Sequence, residues 1–328
     1  MDTRRTLLPL IAVVVLTPLL AWAAFPPSPL PEAAFFLAAP GLWWALRRPA
    51  WKLFLLVQWI AWTVTWLVLL IWLHHVTWIG LVLLAAFLGL ISSAWFAAAR
   101  AIAPIAAPTT VETEDAPGHL RPLALPTLGS SGLGGIVPML GLAALWVVLE
   151  WVRTWLFTGF PWLTLATSQW QRPLMLGLAP ITGAWGISFL LVLVNVGLVA
   201  HFERLRLPRE GRRGWFSLEI VVALVALLAC SFGLSGDFLG QKRKPWARVG
   251  IVQPYIPQEQ KWDDAMARDV VRTLEQETAR VAALEPDFLL WPEAATPWVL
   301  TEGGDLRDWL ARISRDNRAP MLAGVVAL

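Results

Sequence analysis

"WKLFLLVQWIAWTVTWLVLLIWL", residues 51–73, decides the fold class, because it carries a single charge, Lys52, at its very start. A helix needs about 20 consecutive apolar residues to cross the hydrocarbon core of a bilayer, so this stretch reads as a membrane span. Six more stretches share its character, at 7–24, 30–46, 76–99, 134–151, 181–200 and 215–234. The first holds Pro9 and Pro18, and the second is short and flanked by proline, so these two fit the pattern less well. The expectation is a multi-pass α-helical membrane domain over 1–234 with about seven transmembrane helices.

Composition agrees. The 328 residues are 57% hydrophobic and 15% charged, against about 25% charged in a soluble domain. The charges are unevenly placed: residues 1–234 hold 23 Asp, Glu, Lys and Arg, whereas 235–328 hold 26. The tail therefore reads as water-soluble, joined through a linker at 235–246 that contains Lys242-Arg243-Lys244-Pro245. The net charge of +3 is spread over short loops and gives no nucleic-acid signal. The one cysteine, Cys230, lies in an apolar run. That excludes a disulfide framework and a cysteine metal cluster and suits a small buried hydrophobe.

Basic residues set the orientation. With the N-terminus inside, the inner segments hold twelve Lys and Arg, from Arg4 and Arg5 to Arg212 and Arg213, and the outer ones before the tail only Arg153 and Arg172. An odd number of spans then puts 235–328 outside, which in a bacterium means the periplasm. The opening "MDTRRTLLPLIAVVVLTPLLAWAAF" has the layout of a signal peptide, with Ala21-Trp22-Ala23 as a cleavage site. Its apolar core is long for a signal, which favours an uncleaved first helix; cleavage would leave the later topology unchanged. Many of the 22 tryptophans, such as Trp43, Trp44, Trp51 and Trp59, stand near helix ends, where interfacial anchoring explains them. Residues 101–133, rich in Pro, Gly and Ser and holding Glu112, Glu114 and Asp115, read as a flexible connector.

Two membrane segments carry more information. In "LEWVRTWLFTGFPWLTLATSQW", 149–170, Glu150 and Arg153 are spaced to pair on one helical face. Thr158-Gly159-Phe160-Pro161 then breaks the helix while aromatic residues continue. The segment reads either as a turn with aromatic anchors or as a lipid-facing surface beside an active site; on the second reading Trp151, Phe160 and Trp162 are candidate substrate contacts. In "GAWGISFLLVLVN", 183–195, Gly183 and Gly186 permit close helix approach. Asn195 must find a partner within the bundle or mark a site.

The tail alternates. "ARVGIVQPYI", 247–256, reads as a strand. Met266, Val270, Leu274, Val281 and Leu284 mark one face of a helix. A strand at 287–291, a helix with Leu306, Trp309, Leu310 and Ile313 on one face, and the run "PMLAGVVAL" follow. This β-α-β-α-β order opens a layered α/β domain with neighbouring parallel strands, and the chain stops inside its third strand, so a longer protein is expected. In "LEPDFLLWPEAATPW", 284–298, the second strand ends at Pro292 and delivers Glu293 between Trp291 and Trp298. Ligand sites in open parallel sheets lie beyond the carboxyl ends of strands. Glu293 is therefore a candidate general base, with a solvated loop glutamate as the other reading.

Three blocks, "EWVRTWLFTGFPWL", "VGIVQPYIPQEQKWD" and "LLWPEAATPW", stand in this order along the chain. Together, and with "GAWGISFLLVLVN", they resemble bacterial apolipoprotein N-acyltransferases. The resemblance implies a membrane domain joined to a periplasmic nitrilase-like domain of layered α-β-β-α type, here incomplete. It implies transfer of an acyl chain from a phospholipid donor, through a thioester, to the N-terminal amine of a diacylglyceryl-cysteine lipoprotein, with no metal or organic cofactor. It also implies a Glu-Lys-Cys triad. Glu293 matches the Glu, and Trp262 matches an aromatic residue near the family's active site. The family's Lys and Cys fall further along than Leu328, none of Lys52, Lys242, Lys244 and Lys261 follows Glu293, and Cys230 precedes the soluble domain. Residues 1–328 alone are accordingly expected to be inert. A membrane-anchored amidase of nitrilase type and a non-enzymatic polytopic membrane protein are the alternatives.

Overall fold

The computed structural model describes residues 3–102, 133–206, 216–233, 245–296, 298–300 and 304–327. The chain divides into two compact units, Met1–Gln241 and Lys242–Leu328. Nearly all of the connector expected at 101–133 and most of the linker expected at 235–246 lie outside the described residues.

The first unit is helical: α1 (Thr3–Ala24), a 3-10 turn (Pro31–Phe36), α2 (Ala39–Leu46), α3 (Trp51–Leu69), α4 (Trp78–Ile102), α5 (Leu133–Val152), α6 (Pro173–Leu176), α7 (Ala179–Leu205) and α8 (Leu218–Gly233). Among the described residues four segments are long and apolar enough to cross a membrane: Trp51–Leu69, Trp78–Ile102, Gly135–Val152 and Ala179–Leu205. Pro9–Ala24 and Leu218–Cys230 are shorter apolar helices.

The stretch 30–46 is not one span. It breaks after Phe36 into the 3-10 turn and the eight residues of α2, about 12 Å of helix. Pro31 and Pro40 each start one of the two pieces, since proline has no N–H to continue a preceding helix. The break strands backbone groups, and Asn195 of α7 answers them. Its Oδ1 accepts from Ala38 N at 2.8 Å and its Nδ2 donates to Ala34 O at 2.8 Å. Asn195 is thus a buried structural clamp.

Glycine works differently from the sequence expectation. Gly183 has φ +63° and interrupts α7 instead of offering a close approach. The close approach falls at Gly197, where an added Cβ would lie 3.1 Å from Ala223 Cβ and from Glu219 O of α8. Tryptophans also serve inside the bundle: Trp44, Trp62, Trp66 and Trp95 are buried, and Trp95 Nε1 donates to Leu142 O at 2.8 Å.

The second unit contains β1 (Val249–Ile251), α9 (Gln258–Lys261), α10 (Ala267–Ala282), β2 (Phe288–Leu290), β3 (Val299–Leu300), α11 (Asp305–Asp316), β4 (Met321–Leu322) and β5 (Val326–Ala327). β1, β2 and β4 form a parallel sheet in that order, and β3 pairs with β5 in a second parallel pair. The parallel arrangement follows the alternation in the sequence. The strand expected over 247–256 is shorter, because Pro254 cannot donate to a ladder. α10 buries Val270, Leu274 and Thr278 under the sheet, whereas Leu284 lies past its end and is exposed. Val252, Leu289, Trp291 and Ile313 complete the small core.

Candidate functional site

In the membrane unit, residues 153–164 form a loop pinned from the last turn of α5. Glu150 and Arg153 are both buried, and each fastens the segment at a different place. Glu150 Oε1 accepts from Trp146 Nε1 at 2.9 Å and from Leu165 N at 2.6 Å. Arg153 Nη1 donates to Trp162 O at 2.7 Å and to Phe160 O at 3.4 Å, and its guanidinium stands 5.1 Å from the Trp66 ring centroid. Between these ties the chain turns at Gly159, with φ +79°. Phe157 and Leu163 also take left-handed backbone angles, which bulky residues rarely adopt.

The clamp presents aromatic faces. Trp151 and Trp162 are about half exposed, Phe157 is 82% exposed and Phe160 is partly buried. Trp162 stacks on Trp72 at 5.1 Å, and Trp151 meets Trp155 edge-on at 5.3 Å. Behind the loop a cavity of about 40 Å³ is lined by Trp66, Trp146, Glu150, Arg153 and Leu165. That is room for water-sized molecules and too little for an acyl chain.

In the second unit Glu293 stands in the turn that follows β2 and is exposed. The turn is tied to the chain between β4 and β5: Trp291 N donates to Leu322 O at 2.9 Å and Ala295 N to Gly324 O at 3.0 Å. Gly324 packs so closely that an added Cβ would lie 2.6 Å from Pro292 O and 2.7 Å from Glu293 Cα. Trp291 and Trp298 do not flank the carboxylate as the sequence suggested. Trp291 is buried, donates from Nε1 to Thr278 Oγ1 at 3.0 Å and meets the Trp309 ring edge-on, as Trp298 also does.

Glu293 lines an open pocket of about 370 Å³ with Gln253, Tyr255, Ile256 and Lys261. These residues come from the segment after β1, so the pocket lies beyond the carboxyl ends of two neighbouring strands, as open parallel sheets favour. Both loops carry a left-handed non-glycine residue, Tyr255 at φ +51° and Ala294 at φ +45°; such strain collects at functional sites. Trp262 is half exposed and caps α9, but the residue brought to the pocket lining is its neighbour Lys261. Sequence reasoning missed Gln253, Tyr255 and Lys261, because a strand read as far as Ile256 hid the true end of β1 at Ile251. Cys230 is a partly buried free thiol in α8 of the membrane unit.

The model of the apolipoprotein N-acyltransferase N-terminal domain matches residues 18–197. The chain belongs to the apolipoprotein N-acyltransferase family. Relatives bearing that family name include one from Pseudomonas paraeruginosa, 33% identical over 189 residues, which are 57% of this chain and 35% of the relative. One from Azotobacter vinelandii is 35% identical over 57% of this chain and 34% of its own length. One from Geobacter metallireducens is 30% identical over 58% of this chain and 36% of its own. The chain thus covers about a third of the length of the relatives it matches. The family match spans the pinned aromatic loop and ends before the Glu293 pocket.

Proposed function

We propose that this chain supplies the lipid-handling membrane domain and the proton-accepting carboxylate of an apolipoprotein N-acyltransferase of the bacterial inner membrane. In this reading residues 247–328 belong to a nitrilase-like domain on the periplasmic side, joined through the linker 235–246. The N-terminus lies in the cytoplasm, and the excess of basic residues in the inner segments supports that orientation. The observation that carries the reading is Glu293 at a strand end, in a pocket bordered by two strained loops, on a chain of this family.

The chemistry assigned to Glu293 is proton transfer. Its carboxylate takes the proton of a thiol, because the thiolate is the effective nucleophile. The thiolate attacks the ester carbonyl of a phospholipid, and a lysine side chain stabilises the oxyanion. The intermediate collapses to a thioester as the lysophospholipid oxygen leaves with the proton held by Glu293. The N-terminal amine of a diacylglyceryl-cysteine lipoprotein then attacks the thioester and gives its proton to Glu293. The thiol is restored and the amide is formed. Neither the thiol nor the lysine is assigned to Cys230 or Lys261. Trp151, Phe160 and Trp162 are proposed to hold acyl chains at the membrane surface, and Trp262 to border the site. Lateral entry keeps the acyl chains of both substrates out of water, which apolar transfer free energies favour.

Two measurements on residues 1–328 in lipid nanodiscs test this. A fluorescent diacylglyceryl-cysteine peptide is expected to bind saturably, and Trp162→Ala to weaken that binding. Acyl transfer is expected to be absent, since Cys230 is the sole cysteine. Turnover that disappears in Cys230→Ala would overturn the assignment, and so would a peptide that binds no better than its unlipidated form.

A further inference from the structure

We infer that the membrane unit holds a second lipid site, a groove selective for a phospholipid with an anionic headgroup, at the end of α7 away from the pinned aromatic loop. The groove has a volume of about 540 Å³ and runs between α1, the 3-10 turn, α2 and the last turns of α7. This volume falls within the range of about 300–1,000 Å³ seen in small-ligand sites. Leu16, Phe36, Trp43, Phe202 and Leu205 give it hydrocarbon walls, and among the described residues Arg206 is the charged one in its lining.

The polar end of the groove is built for an anion. Arg47 stands 3.6 Å and Arg206 5.6 Å from the centroid of the Trp43 ring, so two guanidinium groups gather at one tryptophan. Both reach the same carboxylate, Glu203 Oε1, at 3.4 Å and 2.7 Å. Among the described residues in this cluster the two guanidinium groups outnumber the one carboxylate, and Arg206, which lines the trough, has a side chain that is 52% exposed. Apolar walls ending in arginines match one occupant, a lipid with its acyl chain in the trough and its phosphate at the arginines. Basic pockets between membrane helices take anionic lipids in this way.

The site is separate from the proposed chemistry. Ser188 accepts from Ala166 N beside the pinned loop, and eighteen residues of helix separate Ser188 from Arg206, about 27 Å along α7. The charge bias of the sequence assigns the Arg206 end to the cytoplasmic side. The lipid is thus a resident of the inner leaflet and not the acyl donor.

Native mass spectrometry of the purified 328-residue chain, incubated with equimolar phosphatidylglycerol and phosphatidylethanolamine, tests the inference. One phosphatidylglycerol is expected to be retained, and Arg206→Ala to lower its retention about fivefold, the effect of one basic residue near an anionic lipid. Phosphatidylethanolamine retention should not change in that variant. Ala12→Phe, which fills the trough, should lower retention of both lipids, with unchanged far-UV circular dichroism. Inorganic phosphate should not displace the bound lipid. Equal retention of the two lipids, indifference to Arg206→Ala, or a dimer of the chain in place of the lipid adduct would each overturn the inference.

Discussion

Replacing Glu150 with alanine separates a carboxylate that organises the aromatic loop from one that is merely tolerated. Glu150 Oε1 is the acceptor for two N–H groups, those of Trp146 Nε1 and Leu165. Alanine leaves both without that partner in a buried site, at about 1–3 kcal/mol each, or about 2–6 kcal/mol together. Measurements on polar groups between membrane helices average about 0.6 kcal/mol per hydrogen bond, which sets a floor near 1.2 kcal/mol for the two. For a unit of this size each kcal/mol moves the melting temperature by about 2–4 °C, so Glu150→Ala should melt at least about 2 °C lower in detergent. Glu150→Gln keeps an oxygen acceptor for both N–H groups and should lose less than half as much. Hydrogen exchange supplies the local readout: the Leu165 amide should exchange faster in the alanine variant and near the native rate in the glutamine variant. If the two variants melted together and Leu165 exchange did not change in either, the clamp would not hold the loop.

The remaining predictions concern the other joints. Asn195→Ala should cost about 1–3 kcal/mol in reversible unfolding in mixed micelles, since Ala38 N loses its partner and Ala34 O is left with the 3.4 Å bond from Leu37 N; an unchanged midpoint would refute its role at the break. Gly324→Val should displace the Glu293 turn, because its side chain meets Pro292 O and Glu293 Cα, and should change the fluorescence of a probe bound in the adjoining pocket while the helical signal of the membrane unit stays constant. In a chimera that joins residues 1–328 to the C-terminal part of the Pseudomonas paraeruginosa relative, Glu293→Gln should lower kcat for acyl transfer about 100-fold or more; equal turnover would exclude it as the base.

The helices were legible wherever apolar character ran unbroken, as in α3 and α4. At 30–46 it misled, because hydropathy does not register that Pro31 and Pro40 begin new pieces. The role of Asn195 was visible only as a choice between partner and site; its partners sit 157 and 161 residues away, and no local pattern encodes that distance. Gly197 and Gly183 show the same limit, since close approach and a left-handed angle look alike in sequence. In the second unit the alternation pointed to the neighbouring parallel strands β1, β2 and β4 but not to the β3–β5 pair, and the position of Glu293 followed from Pro292 closing β2. The pocket around it was not legible, because Tyr255 lies in a stretch read as strand and Lys261 opens one read as helix, and of these segments only Trp262 was given a part in the site. Trp291 and Trp298 looked like walls of a site; Trp291 is core, and Trp298 packs partly buried against the Trp309 ring.

Photo-crosslinking tests the central claim, that the Glu293 pocket receives the lipidated amine, most directly. A diacylglyceryl-cysteine peptide carrying a diazirine beside its N-terminal amine is irradiated with the 328-residue chain in nanodiscs, and the labelled peptides are mapped by mass spectrometry. The account predicts labels on residues 253–261 and 292–295, lost when unlabelled diacylglyceryl-cysteine peptide is added in excess. Labels confined to the lipid-facing helices, or equal labelling by a diazirine lipid that lacks the cysteine amine, would contradict it.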